Sequence, residues 1–306
     1  MAATAQAFVL TARAKFNVRL EIGAIRSDGL HDVRSVVADL AIGDEVAFLP
    51  SEGEFSVSCD EPDIPQADNL AWRAAKALDI RLPQVRVHVK KLLPLQAGLG
   101  GGSADAAAVL RGLASILSEM GVAVPHQALM AAAARVGSDV AACLTPGLKL
   151  VEGSGRIVRP LPSDALPWGV LLLKPAIGVP TDVAYRLLDE ARSSEDALAS
   201  RQNGATSELC DALARGDFGR TCALAHNDFQ GVIEAAYPDV AQARKLLATA
   251  GASTTILCGS GSCVAGLYEN VEAAREEYAA LLARVGWPGR SSYWRLASVS
   301  LQVAIH

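Results

Sequence analysis

Residues 93–107 read LPLQAGLGGGSADAA and form the most informative run in the chain. Glycine occupies four of the five positions from Gly98 to Gly102, and a run of small, helix-favouring residues follows at once. Because glycine has no Cβ, successive backbone N–H groups can turn toward one point. A helix beginning near Ser103 would add its unpaired N–H groups and the positive end of its dipole. The stretch therefore predicts an anion site, and nucleotide phosphate is the anion we expect.

The sequence on either side indicates that these glycines join a strand to a helix. Upstream, residues 85–90 read VRVHVK, in which apolar and polar side chains alternate with the period of a half-buried strand. Downstream, apolar side chains recur at helical spacing from Ala106 to Leu117. We therefore favour a strand, a tight turn and a helix over a flexible linker.

Three familiar glycine motifs do not fit. A Walker A loop ends in Gly-Lys-Ser/Thr, and no lysine follows Gly102 until Lys149. A dinucleotide fingerprint that starts at Gly98 would need glycine at Ser103. Part of the protein-kinase set occurs at residues 217–219, which read DFG, but the chain contains no His-Arg-Asp tripeptide.

Composition limits the class of protein. The chain has 306 residues, 51% of them hydrophobic, and a formal net charge of −5. This length favours two domains, which we predict at 1–161 and 162–306 with the boundary in a proline-rich stretch. The absence of a dense basic run argues against a nucleic-acid partner. Six cysteines without a Cys-x-x-Cys pair suggest small buried side chains in a reducing compartment and no metal site.

The sequence also argues against membrane association. No apolar run approaches the roughly 20 residues that cross a bilayer. The first residues lack the basic start and long apolar centre of a signal peptide. We expect a cytoplasmic protein that acts on a small molecule, with no nucleic-acid or membrane partner, as a monomer or weak homodimer.

Periodicity assigns the first half of the chain to strands and helices. Alternation from Phe16 to Ile22 places Lys15 and Asn17 on one face of a strand. Turn residues at 26–29 and a strand-like pattern over 33–40 predict a hairpin, with a separate strand at 46–48.

The helices of this half carry their own start and stop signals. Asp68 and Asn69 can cap a helix over 70–78. A later helix opens at residues 124–126 and is ended by Gly137, with Asp139 directly after it.

The second half reads as strands and helices in the order of a ferredoxin-like βαββαβ unit. A hairpin around residues 153–155 precedes it, and a polar, mobile connection is predicted over 193–203. The predicted strands are 170–173, 254–258, 263–267 and 298–305, with helices at 183–191 and 271–285.

Phosphoryl transfer requires positioning and charge neutralisation around the phosphate oxygens, with the attacking hydroxyl in line with the leaving oxygen. A carboxylate that orients the hydroxyl and accepts its proton assists the reaction. Asp139 is the candidate carboxylate, and Lys15 is the candidate cation that steadies it. Taken alone, an aspartate after a helix-ending glycine is a turn residue, and a lone strand lysine is a solvated charge.

The run from Pro94 to Ala104 resembles the Pro-x-x-x-Gly-Leu-Gly-Ser-Ser-Ala motif of the GHMP kinases, which include galactokinase, homoserine kinase and mevalonate kinase. Further segments are similar, in order and approximate spacing, to the branch that phosphorylates 4-diphosphocytidyl-2-C-methyl-D-erythritol. These segments read AKFN (14–17), DGLHD (28–32), DNL (68–70), GSDV (137–140) and GSGSC (259–263). The resemblance extends from about Ala14 to the C-terminal strand.

The resemblance implies an α+β, two-domain GHMP kinase fold. Its N-terminal domain would resemble domain 2 of ribosomal protein S5, and its C-terminal domain would be ferredoxin-like. It also implies ATP as phosphoryl donor with Mg²⁺, and transfer to the 2-hydroxyl of the cytidyl acceptor in non-mevalonate isoprenoid precursor synthesis.

The resemblance further implies site residues, with no protein metal ligand among them. Lys15 and Asp139 match the catalytic pair, and Asn17, His31, Thr181 and Tyr185 match acceptor contacts. Leu30 stands where tyrosine is usual, so this position offers the cytosine only apolar contact. The implied ATP site comprises Pro94, Leu95, Gln96, Ala97, Gly98, Leu99, Gly100, Gly101, Gly102, Ser103 and Ala104, with Asp68 and Asn69 beside the adenine.

Other functions stay open at this point. The Leu30 departure motivates another GHMP small-molecule kinase, of homoserine or mevalonate type. A nucleotide-binding regulator with this fold but no turnover is a further alternative. A dehydrogenase is weaker, because the third fingerprint glycine is missing.

Overall fold

Alternating apolar and polar side chains build two long N-terminal strands, β1 (Phe8–Ile25) and β2 (His31–Pro50), which pair with each other. The predicted hairpin turn between them is confirmed, with the Arg26 N–H donating to the Leu30 carbonyl at 2.7 Å. The prediction of a separate strand at 46–48 is wrong, because β2 runs on to Pro50. Gly43 permits β2 to continue through this point. A Cβ at position 43 would lie 2.2 Å from the Ala12 carbonyl oxygen of β1, so the two strands can approach this closely only because residue 43 is glycine.

The structure, a computed structural model, describes residues 6–61, 64–162, 166–192, 204–285 and 293–302. The predicted connection 193–203 and the end of the last predicted strand lie outside these residues. The remaining described elements are β3 (Ser56–Cys59), α1 (Leu70–Ala77), β4 (Val85–Lys90), α2 (Gly101–Glu119), α3 (His126–Val136), α4 (Ser138–Leu144), β5 (Lys149–Gly153), β6 (Ile157–Pro160), β7 (Gly169–Pro175), α5 (Thr181–Arg192), α6 (Ala205–Ala214), α7 (Phe218–Leu224), β8 (His226–Asn227), α8 (Gln230–Ala236), α9 (Pro238–Thr249), β9 (Thr254–Leu257), β10 (Val264–Tyr268), α10 (Val271–Val285) and β11 (Tyr293–Gln302).

Packing divides the chain into two units that interleave along the sequence. Unit 1 comprises Met1–Lys15, Ile42–Leu93 and Gly100–Thr145. Unit 2 comprises Phe16–Ala41, Pro94–Leu99 and Pro146–His306. The division into 1–161 and 162–306 stays a prediction.

Unit 1 joins a small sheet to four helices. Within it, β3 runs parallel to β4, and β4 runs antiparallel to the second half of β2. The predicted strand-to-helix order around the glycines is confirmed by β4 and α2. Helix α2 packs against α1 and α4, and its alanine, valine and leucine side chains are buried. This burial holds the start of α2 where the glycine turn ends.

Unit 2 contains an antiparallel sheet in the order β11–β7–β10–β9. With α5 after β7 and α10 after β10, this order confirms the predicted ferredoxin-like βαββαβ unit. Every residue of β7 is buried, which explains its continuous apolar run. The predicted hairpin of β5 and β6 is also confirmed.

Helices α5, α8 and α9 contribute to the core of unit 2. Their buried side chains include Leu188, Ile233 and Leu247, and they pack together with Leu171 of β7. Burial of each such side chain contributes about 1.5–3 kcal/mol to folding. Among the described residues, no helix is long and apolar enough to cross a membrane.

Candidate active site

The glycine stretch ends in a left-handed turn that starts α2. Gly100 is the N-cap of α2, with φ 70° and ψ 21°, a conformation that favours glycine. The first helical hydrogen bond runs from the Ala104 N–H to the Gly100 carbonyl at 2.8 Å. The N–H groups of Gly101, Gly102 and Ser103 therefore have no carbonyl of the helix to bond. The helix starts two residues earlier than the predicted Ser103, so two of the three unpaired N–H groups at this end belong to glycine, and a helix end of this kind can bind an anion.

Lys15 of β1 lies directly against this turn. A Cβ added to Gly100 would meet the Lys15 Cγ at 2.7 Å and its Cε at 3.0 Å, so the lysine stem crosses the glycine. The Lys15 ammonium lies 3.3 Å from Oδ2 of Asp139. Lysine, aspartate and the glycine turn, which are far apart in sequence, thus meet within unit 1.

Asp139 remains accessible, although its partner is buried. Its side chain is 49% exposed, whereas that of Lys15 is 7% exposed. The predicted helix ending at Gly137 is confirmed by α3. The sequence did not predict α4, whose first turn contains Asp139 and whose N-terminal dipole favours the carboxylate.

The residues predicted beside the adenine lie at the start of α1. The Asn69 side chain accepts a hydrogen bond from the Ala71 N–H at 2.9 Å, which confirms the predicted helix cap. Asp68 is exposed. A Cβ on Gly102 would lie 3.4 Å from the Leu70 side chain, so the start of α1 adjoins the first turn of α2. The adenine role of Asp68 and Asn69 stays a prediction.

The front of the glycine stretch, residues 94–99, is held within unit 2 by the turn between β9 and β10. The N–H groups of Ser262 and Cys263 donate to the carbonyls of Gln96 and Ala97, both at 3.2 Å. A Cβ on Gly98 would lie 1.7 Å from the Cys258 carbonyl oxygen, so this contact requires glycine. The GSGSC segment thus closes a hairpin and also supports residues 96–98.

Two of the predicted acceptor residues stack on each other. The His31 and Tyr185 rings have centroids 4.9 Å apart and planes 26° apart. The His31 Nε2 lies 3.3 Å from an Asp189 carboxylate oxygen, and its Nδ1 lies 2.9 Å from the Gly23 carbonyl. The Tyr185 and Phe229 rings meet edge to face, with centroids 4.9 Å apart and planes 84° apart. These ring contacts and polar contacts together fix the positions of the His31 and Tyr185 rings.

The other predicted acceptor residues make separate contacts. Thr181 starts α5 one turn before Tyr185, and its hydroxyl lies 3.2 Å from that of Ser260. Asn17 donates to the Ser35 hydroxyl at 2.8 Å and is buried. Leu30 is 45% exposed.

Both faces of β1 are buried around Asn17. The alternation in sequence did not indicate this, because the polar face carries residues that find partners inside the fold. Arg19 illustrates the point: its guanidinium donates to the Leu224 carbonyl at 2.7 Å.

Sequence reasoning missed a buried charge cluster in unit 1. The Lys91 ammonium donates to Asp44 at 2.5 Å and to Asp105 at 2.7 Å. Burial raises the pKa of Asp105 to about 7; the Lys91 ammonium opposes the rise and the Asp44 carboxylate adds to it. Burial alone would lower the pKa of Lys91, but the two carboxylates raise it. The three residues lie on β2, after β4 and in α2, so no local pattern joins them.

In the part of the chain that the structure describes, no group of three or more His, Cys, Asp or Glu side chains could hold a metal ion. A Mg²⁺ ion that arrives with a nucleotide takes most of its ligands from phosphate oxygens and water. Near the glycine turn, the Ser103 hydroxyl lies in the first turn of α2, and a hydroxyl is an oxygen group of the kind that can bind a water molecule of such an ion.

Family models match both halves of the chain. Residues 69–147 match the GHMP kinases N terminal domain, and residues 209–286 match the GHMP kinases C terminal domain. The first match includes the glycine turn and Asp139.

Individual relatives extend the match over most of the chain. A 4-diphosphocytidyl-2-C-methyl-D-erythritol kinase from Shouchella clausii is 34% identical over 267 residues, covering 86% of each chain. A crystal structure of 4-(cytidine 5'-diphospho)-2C-methyl-D-erythritol kinase superposes with a TM-score of 0.72 and 28% identity, over 96% of this chain and 99% of the other.

Homoserine kinase from Cytophaga hutchinsonii superposes with a TM-score of 0.71, covering 99% of this chain and 96% of the other, but at 19% identity. That likeness shows the fold alone. Together the matches confirm the two-domain fold that the sequence resemblance implied.

Proposed function

The chain belongs to the 4-diphosphocytidyl-2-C-methyl-D-erythritol kinases of the GHMP kinase family, and we propose that it transfers the γ-phosphoryl group of ATP to the 2-hydroxyl of that cytidyl acceptor. This is a step of non-mevalonate isoprenoid precursor synthesis. The observation that carries the chemical proposal is the Lys15–Asp139 pair, 3.3 Å apart, beside the Gly100 turn. It joins an anion-binding helix end to a carboxylate that can receive a hydroxyl proton.

The glycine turn would hold the nucleotide phosphates. The N–H groups of Gly101, Gly102 and Ser103 are the donors, and the α2 dipole adds positive potential at the same end. Mg²⁺, bound with ATP, supplies neutralisation of the phosphate charge. Residues 94–99 would continue the phosphate contact, and Asp68 and Asn69 would lie beside the adenine.

Phosphoryl transfer requires little covalent chemistry from the protein itself. The acceptor hydroxyl oxygen forms a bond to the γ-phosphorus while the bond from that phosphorus to the β–γ bridging oxygen breaks, and ADP leaves with the electron pair. Asp139 would orient the hydroxyl and take up its proton. The Lys15 ammonium would hold that carboxylate in place and balance charge near the transferred group. Because the transition state is loose, orientation contributes more than base strength.

The cytidyl acceptor would be recognised by residues of unit 2. The His31–Tyr185 stack would offer the cytosine an aromatic surface, and the Gly23 carbonyl and the Asp189 carboxylate, which engage the two His31 nitrogens, would fix the orientation of that surface. Thr181 and Asn17 would contact the diphosphate and methylerythritol groups. Leu30 adds apolar contact where the family usually has tyrosine, so Tyr185 carries more of the aromatic contact in this chain.

An acceptor panel tests the proposal. ADP release by the purified protein with MgATP is measured with 4-diphosphocytidyl-2-C-methyl-D-erythritol, mevalonate, homoserine and no acceptor, and the product is identified by mass. We expect turnover with the cytidyl compound alone. Turnover only with homoserine or mevalonate would reassign the acceptor, and nucleotide binding without turnover on any acceptor would favour a regulator.

A further inference from the structure

The Lys91–Asp44–Asp105 cluster lies where the glycine stretch begins and where it ends. Lys91 directly follows β4, and Asp105 is the fifth residue of α2. The three side chains are 4%, 0% and 6% exposed, so their charges have little access to water. The Lys91 ammonium, which lies between the two carboxylates, therefore links the end of β4 to the first turns of α2.

Asp44 also holds backbone. Its Oδ1 accepts hydrogen bonds from the N–H groups of Leu92 and Leu93, at 2.6 and 2.7 Å. These residues come immediately before Pro94, the first residue of the glycine motif. On the far side, a Cβ on Gly101 would lie 3.4 Å from both the Asp44 Oδ2 and the Lys91 Nζ. The cluster thus contacts both sides of the motif.

Stability alone does not account for this arrangement. Burying an ion costs several kcal/mol, and well-packed apolar side chains at such positions are often at least as stabilising. A buried ion pair does fix geometry, because each partner accepts only a narrow range of positions. Asp105 also has an oxygen, Oδ1, that is buried without a hydrogen-bond partner among the described residues.

We propose that Lys91 is a positioning residue: clamped between Asp44 and Asp105, it fixes the first turn of α2 and the backbone before Pro94 in the geometry that binds nucleotide phosphate. This inference rests on the proposed function, because it assumes that the Gly101–Ser103 N–H groups hold phosphate. Lys91 acts through that backbone and touches no reacting atom.

Calorimetric titration with MgADP tests this proposal, because it measures nucleotide affinity and does not require turnover. The variants are Lys91→Met, which removes the ammonium, Asp105→Ala, which removes one acceptor, and Asp105→Asn, which keeps an oxygen for Lys91. Lys90→Met is the matched control, because Lys90 is a neighbouring lysine, 54% exposed, that pairs with Glu45. The thermal midpoint of every variant is measured in parallel, and binding is measured well below it.

We expect Lys91→Met and Asp105→Ala to weaken MgADP binding about tenfold, and Asp105→Asn and Lys90→Met to stay within threefold of wild type. If Lys91→Met does not fold, Asp105→Ala decides, because it leaves the neutral Lys91–Asp44 pair. Folded Asp105→Ala that binds like wild type overturns the clamp, and so does equal weakening in Asp105→Ala and Asp105→Asn. A wild-type protein that binds no MgADP contradicts the proposed function instead.

Discussion

Substitution of Gly100 by alanine places one methyl group where the glycine turn meets Lys15. Gly100 has φ +70°, a conformation that L side chains rarely adopt, and its new Cβ would lie 2.7 Å from the Lys15 Cγ. Two separate effects follow from this one change. The backbone is strained, and the lysine stem must move.

The structure gives the size of each effect. Holding alanine in the left-handed conformation costs about 1–2 kcal/mol. Ordinary van der Waals contact begins at 3.4 Å, so the lysine stem must retreat by about 0.7 Å from its 2.7 Å position. This movement would displace the ammonium from its position 3.3 Å from Asp139. A misplacement of about 1 Å near reacting groups costs up to about 100-fold in rate.

Gly121→Ala is the matched control. Gly121 also has positive φ, +82°, but its added Cβ would meet no atom within 4 Å. We expect both variants to lose about 1–2 kcal/mol of unfolding free energy in denaturant titrations. Only Gly100→Ala should lose kcat, by about 10- to 100-fold, with MgATP and the cytidyl acceptor. Equal kcat values in the two variants would refute the argument that the lysine stem must keep its place over Gly100.

Three further predictions concern separate parts of the molecule. Burial raises the pKa of Asp105, which lies beside Lys91 and Asp44, to about 7 in the folded protein against 3.8 ordinarily, so the folded state keeps a proton that the unfolded chain releases. The contribution of Asp105 to the unfolding free energy should therefore fall as pH rises from about 4 to 7, by roughly 1 kcal/mol per pH unit between pH 5 and 6.5. In denaturant titrations, Asp105→Asn should flatten that slope. An unchanged slope would contradict the assignment of the titration to Asp105. Tyr185→Leu should raise KM for the cytidyl acceptor about three- to tenfold and leave KM for MgATP unchanged, whereas Tyr185→Phe keeps the ring and both values; a leucine variant with normal KM would place the cytosine elsewhere. Asn69→Ala should lower the unfolding free energy by about 1 kcal/mol, and Asn69→Asp should restore it, because aspartate also caps helices. An alanine variant as stable as wild type would show that the Asn69 cap does not stabilise the fold.

Much of the fold follows from local pattern in the sequence. The period of residues 85–90, the glycines and the apolar spacing after Ala106 predicted β4, the turn and α2. Gly137 predicted the end of α3, and the order of elements in the second half predicted the βαββαβ sheet. The turns and helix ends are encoded within one or two neighbouring elements, so periodicity and turn chemistry suffice for them, and the βαββαβ sheet follows from the order of such elements along the chain.

What the sequence did not predict depends on contacts between distant residues. The continuity of β2 through Gly43 depends on how closely β1 passes, which no local pattern records. Helix α4 has only seven residues, too few for periodicity to identify. The two carboxylates of the Lys91 cluster come from separate elements, and one of them, Asp105, is hidden in an alanine-rich helix. The contact between Lys15 and Gly100 likewise could not be predicted from sequence spacing, because the two residues lie on distant elements.

The single-turnover rate of Asp139→Asn, with saturating MgATP and the cytidyl acceptor, tests directly whether the Lys15–Asp139 pair carries phosphoryl transfer. The asparagine keeps the size of the side chain but removes both the charge that pairs with Lys15 and the capacity to accept the hydroxyl proton, so orientation and proton transfer are both impaired. We expect a rate at least about 100-fold below wild type, with MgADP affinity within threefold. A rate within threefold of wild type would contradict it, because the Lys15–Asp139 pair would then not carry the phosphoryl transfer.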